Sequence, residues 1–162
     1  MIKEFVKAWD VNKDELITYF TENIPSDYED IFKALVVKVI NPHLLDELNS
    51  HIEYPLSDGL DEHSITKIDD GDYQGTQLFI IPCANYQPDM GDYYVTSVWY
   101  GSCSGCDTFE AIIDNYDLYR DKVTKTNRKK AAKQFQTLAL HMLQKMRCLV
   151  PAEEEEIDEQ DR

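Results

Sequence analysis

The chain has 162 residues, a formal net charge of −15, 43% hydrophobic residues and 29% charged ones. That balance suits one globular domain with a core of its own and excludes a wholly disordered chain. No apolar run approaches the roughly 18–20 residues that span a bilayer, and an acidic surface argues against direct nucleic-acid binding.

The start, MIKEFVKAWD, carries Lys3, Glu4 and Lys7 where a signal peptide would be apolar, so a cytoplasmic protein is expected. Ile2, Phe5, Val6 and Trp9 recur at helical spacing and predict a short first helix. Asn12 with Glu15 reads as the start of a second, with Leu16, Ile17, Phe20 and Ile24 on one side. In IPSDYEDIFKALVVKVINP, Ser26 and Glu29 predict a capping box, and Ile31, Phe32, Leu35, Val36 and Val39 an apolar stripe. Asn41-Pro42 is expected to end that helix.

After the punctuated stretch 41–62 the period changes to two. SITKIDDGDYQGTQLFIIPC predicts strand, Asp70-Gly71 turn, strand, with Asp69 facing Asp72 across the turn. Leu78 to Ile81 are apolar at every position, as in a central strand covered on both faces. DYYVTSVWYGS supplies a third strand. Phe109, Ile112, Ile113 and Tyr116 then mark one helix, and Phe135, Leu138, Ala139, Met142, Leu143, Met146 and Leu149 mark a long final one. Arg120, Lys122, Lys125, Arg128, Lys129, Lys130 and Lys133 make the start of that last helix basic, and we read them as balancing the protein's own carboxylates. Seven acids and one arginine in AEEEEIDEQDR leave about −9 for the body. Residues 153–162 are expected to be a disordered acidic tail. The fold expected for the single domain, 1–152, is α+β: a three-stranded antiparallel meander packed by N-terminal and C-terminal helices.

The segment YGSCSGCDTFEAI, 100–112, carries the most chemistry. Cys103 and Cys106 near a helix N-terminus could form a redox pair, since free N–H groups stabilise a thiolate. A thioredoxin fold, however, needs strands after that helix, and none is predicted. Structural zinc needs four ligands. His141 and Cys148 are seven residues apart, about 10 Å along a helix, and Cys83 falls at the far end of its strand. His43, His51 and His63 are scattered in loops and read as surface residues. The third reading is a tight turn of small residues, Gly101, Ser102, Ser104 and Gly105, capped by Asp107 or Thr108. We adopt that reading, with no cofactor expected and zinc or another divalent metal as the alternative.

If the second and third strands pair through the loop 84–91, residue 72 falls opposite residue 103. Asp69, Asp70, Asp72, Tyr73, Tyr100, Cys103, Cys106 and Asp107 then meet at one end of the sheet. This is the candidate binding surface, suited to a hard cation or a cationic group of a partner.

The stretches IDDGDYQGTQLFIIP, 68–82, and YGSCSGCDTFEAI resemble a set of small uncharacterised proteins of bacteriophages and prophage-carrying bacteria, with a weaker likeness in LALHMLQKM, 138–146. The resemblance implies a phage context and a shared fold, with host cytoplasm as the location. It supplies no catalytic residue. The function expected from these readings is a non-enzymatic accessory protein that binds a host or defence protein with a basic surface, by acidic mimicry of nucleic acid. The alternative is a small metal- or thiol-dependent enzyme working at the DDGD turn and the CSGC segment. No membrane partner is expected, and a homodimer is allowed.

Overall fold

The computed structural model describes residues 2–85 and 87–149. The expected acidic tail, 153–162, lies outside them. The chain is α+β. Helices α1 (Ile2–Glu22), α2 (Tyr28–Leu35), α3 (Asn41–Leu44), α4 (Thr108–Asn115) and α5 (Lys125–Lys145) accompany a four-stranded antiparallel sheet. Strands β1 (Thr66–Asp69), β2 (Gly75–Pro82), β3 (Tyr93–Tyr100) and β4 (Arg147–Cys148) lie in sequence order. The expected three-stranded meander is thus extended by one short strand. β4 pairs Cys148 with Tyr94 and Arg147 with Val95. Two residues carry no readable alternation, so the sequence pattern stops at three strands.

The first two expected helices are one. Asn12 does not cap a new helix; its Nδ2 instead donates to the Val39 carbonyl at 3.1 Å, and α1 runs through it. The α2 cap also differs. Asp27 accepts from the Asp30 amide at 3.1 Å, and Asp30 accepts from the Ser26 amide at 2.8 Å, one residue beyond the expected Ser26–Glu29 box. Nor does Pro42 end the rod. A π-helical turn, Val36–Ile40, joins α2 to α3 and places Pro42 in the first turn of α3. A proline there lacks only an N–H that the first turn leaves unpaired in any case.

The core lies on one side of the sheet. Phe5 of α1 meets Tyr94 with ring centroids 5.2 Å apart, Phe32 of α2 meets Phe79 at 5.6 Å, and Thr96 donates to the Met142 carbonyl of α5 at 2.7 Å. Phe79 is paired with Thr96 and Ile81 with Tyr94, so all three helices touch the same face. Phe20, Phe109 and Phe135 continue the aromatic core away from the sheet. The opposite face carries Ile68, Leu78, Ile80, Val95 and Trp99. Leu78 and Ile80 are only half-buried and Ile68 is exposed, so among the described residues β2 is covered on one side, not on both.

Glu4, near the start of α1, ties three parts of the chain together. Its carboxylate accepts from Lys7 Nζ at 2.7 Å and from His43 Nε2 at 2.9 Å, and lies 3.5 Å from His51 Nε2. Asn49 Nδ2 donates to the His43 carbonyl at 2.9 Å. His43 is therefore a buried residue of a network and not the surface loop residue expected. The hydrogen bonds from Lys7 and then His43 hold the Glu4 carboxyl at about 2, against an ordinary 4.5. A carboxylate depressed in this way stabilises the fold above its unfolded pKa, and the stabilisation is lost as pH falls through the folded value. Unfolding free energy is expected to drop between about pH 4.5 and pH 2, with Glu4→Gln flattening that stretch of the profile. Denaturant unfolding of both chains across that range checks it, and identical slopes would assign the acid sensitivity to other carboxylates.

Candidate interaction surface at one rim of the sheet

β2 and β3 pair from Gly75 with Tyr100 to Pro82 with Tyr93. The loop 70–74 therefore leaves the sheet at the same end as the segment 101–107. Two contacts tie that rim together. The Tyr100 hydroxyl lies 2.6 Å from Asp69 Oδ1 and 2.7 Å from the Gly71 carbonyl, one proton facing two acceptors. Anchored to Asp69, the Tyr100 phenol is pushed up to about 12.

The loop itself is not the two-residue Asp-Gly turn expected. Asp69 pairs with Gln77 and does not face Asp72. Its carboxylate accepts from the Gly71 amide at 3.1 Å and from Gln77 Nε2 at 3.0 Å. Hydrogen bonds, first that of Tyr100, lower the Asp69 pKa. Asp70 Oδ1 accepts from the Thr76 amide at 2.6 Å and the Asp70 amide donates to the Thr76 carbonyl at 3.3 Å, which closes the base of the loop. Gly71 is required there by close approach, since a Cβ on it would lie 2.0 Å from the Gln74 carbonyl oxygen. Asp72 and Tyr73 stand exposed at the tip, Tyr73 at 83%.

The CSGC segment is a tight turn, as read from its small residues. Cys106 and Asp107 amides both donate to the Cys103 carbonyl, at 2.9 and 2.8 Å. The turn folds Cys106 over Gly101, where a Cβ would lie 2.6 Å from Cys106 Sγ and 2.7 Å from its carbonyl oxygen. Both thiols are exposed. Asp107 does not join the exposed acids. It is buried and caps α4, with Oδ1 accepting from the Phe109 and Glu110 amides at 2.8 and 3.1 Å and from the Tyr28 hydroxyl at 3.0 Å. Asp107 Oδ2 accepts from the Gly101 amide at 2.9 Å. Burial, and then the charge of Asp107, raise the Tyr28 phenol. The carboxylate is held inward because four donors surround it, which leaves Asp69, Asp70 and Asp72 as the acids of the rim.

Among the described residues no group of three or more His, Cys, Asp and Glu side chains is placed to hold a metal ion. Cys83 sits at the far end of β2, its amide donating to the Asp92 carbonyl at 2.7 Å, and burial raises its thiol to about 12. Cys148 donates to the Gly91 carbonyl at 3.0 Å, also far from the rim. His141 is exposed on α5 and does not pack beside its buried stripe. Of the basic residues between 120 and 133, Arg120 pairs with Asp117 at 3.1 Å, and no ion pair within 4.0 Å is found for the others among the described residues. Lys122, Lys125, Lys129, Lys130 and Lys133 are exposed.

What the sequence pattern missed is the open face beside the rim. Trp99 stands 53% exposed opposite Thr76, and Ile68 stands 48% exposed opposite Leu78. The signal was present as alternation: Tyr94, Thr96 and Val98 are buried, while Val95, Ser97 and Trp99 point the other way. No helix among the described residues is long and apolar enough to cross a membrane. No protein-family model matches the chain, and no curated protein or solved structure is significantly similar to it.

Proposed function

We propose that the protein is a non-enzymatic interaction protein, of phage or prophage origin as the sequence resemblance suggests, that binds a basic protein of the host or of a defence system. The docking surface is the open sheet face together with the DDGD rim. One observation carries this reading: Trp99, Ile68 and Tyr73 are exposed at the end of the sheet where Asp69 and Asp70 are ordered by hydrogen bonds. Tryptophan and tyrosine anchor interfaces because they bury large area at small entropic cost, and flanking carboxylates speed and orient the encounter with a cationic partner. Pre-ordered acids on an acidic body are also the features by which a protein imitates a phosphate backbone.

The test uses the full chain on a support, bacterial lysate at low salt, and two variants: Trp99→Ala, and Asp69→Asn, Asp70→Asn and Asp72→Asn combined. A basic protein retained by the wild type, released by salt or duplex DNA, and lost from both variants supports the proposal. Retention that ignores both variants, or no basic protein retained above the blank support, sinks it. Loss from the variants with no release by DNA keeps the interaction surface and removes the mimicry.

A further inference from the structure

A second feature of the rim is independent of any partner. Cys103 Sγ and Cys106 Sγ lie 3.1 Å apart, inside van der Waals contact and about 1 Å from the roughly 2.05 Å of a disulfide. Three local features press them together. The Cys103 carbonyl is gripped by two amides, Cys106 Sγ also lies 3.3 Å from that carbonyl, and Gly101 leaves the space that Cys106 fills. Both sulfurs are open to solvent, whereas Cys83 is buried and Cys148 is half-buried and bonded to a carbonyl.

We propose that Cys103 and Cys106 form a thiol–disulfide exchange site whose reaction partner is a low-molecular-weight disulfide such as oxidised glutathione. Cys106 takes the first step: its Sγ lies 3.1 Å from Cys103 Sγ, and the hydrogen bond between the two sulfurs lowers the pKa of its thiol. The Cys106 thiolate attacks one sulfur of the small disulfide, forming a mixed disulfide and releasing one small thiolate, which takes up a proton. Cys103 then loses its proton to solvent, attacks Cys106 Sγ and displaces the second small thiol. The protein's two thiols are oxidised to one disulfide, and the external disulfide is reduced to two thiols. No base or cation from another element is needed.

The experiment keeps the reduced full chain native and incubates it with oxidised glutathione. Intact mass and chymotryptic mapping follow, with free thiols blocked first. Peptide 101–109 separates this pair from Cys83 and Cys148. The expected result is loss of two hydrogens confined to peptide 101–109, with Cys83 and Cys148 still alkylatable. Cys103→Ser should stop the reaction at one glutathione on Cys106, and Cys106→Ser should slow the first step at least tenfold. Because both side chains are exposed, circular dichroism of these variants should match the wild type. A chain that keeps four free thiols, that holds glutathione without closing the bond, or that links Cys83 to Cys148 instead overturns the proposal. None of these readouts involves a protein partner, so the result stands apart from the docking reading.

Discussion

Asp107→Ala is expected to lower the unfolding free energy by about 3–5 kcal/mol and the melting temperature by about 10 °C. The side chain is 5% exposed, and it is the acceptor for two α4 amides, the Gly101 amide and the Tyr28 hydroxyl. Loss of an N-cap alone costs about 1–2 kcal/mol. Each buried donor stranded without an acceptor adds about 1–3 kcal/mol, and partial solvent entry through the exposed CSGC turn relieves part of that. Asp107→Asn keeps one acceptor oxygen and should cost about half as much. Tyr28→Phe removes one donor and its hydroxyl, leaves the cap in place, and should cost about 1–2 kcal/mol. Urea unfolding of the three variants checks the series. Equal losses for Asp107→Ala and Tyr28→Phe would show that the phenol, and not the cap, holds the turn to α2. A loss below about 1 kcal/mol for Asp107→Ala would show that water replaces the carboxylate.

The same residue shows what a sequence can and cannot display. Its capping role is legible, because Asp-Thr directly precedes an apolar helical period. Its burial is not, because Tyr28 lies 79 residues away and no local pattern records that contact. The pairing of β2 with β3 was legible for the opposite reason: antiparallel register follows from the loop between the strands. The loop 70–74 was misread because Asp70 bonds the Thr76 amide through its side chain, a choice that Asp-Gly composition does not reveal. Asn12 misled in the same way. An Asx side chain can cap its own helix or reach a distant carbonyl, and here the Val39 carbonyl, within the π-turn, wins. For the candidate site, strand order placed Asp69 and Tyr100 at one end of the sheet, although the expected β1–β2 register was not the one observed. The exposure of Trp99 did not, since strand alternation gives two faces without saying which one the helices cover.

Two aromatic deletions separate stability from binding. Phe135 is fully buried, its ring 5.6 Å from those of both Phe20 and Phe109, so Phe135→Ala empties the junction of α1, α4 and α5. The expected cost is about 3–5 kcal/mol, the sum of lost transfer energy and the cavity left behind. Trp99 is larger, yet half of it already meets water, and Trp99→Ala should cost the fold about 1 kcal/mol or less. Binding should show the reverse. An aromatic anchor at an interface contributes about 2 kcal/mol or more, roughly thirtyfold in the dissociation constant of a captured basic partner. Phe135→Ala, measured where it remains folded, should leave that constant nearly unchanged. Thermal unfolding and titration calorimetry on both variants give all four values. If Trp99→Ala destabilised the chain as much as Phe135→Ala, its ring would be part of the core, and the open sheet face would lose its anchor. If it altered neither stability nor affinity, the partner would have to engage the aspartates alone, and the interface would shrink to the loop 70–74.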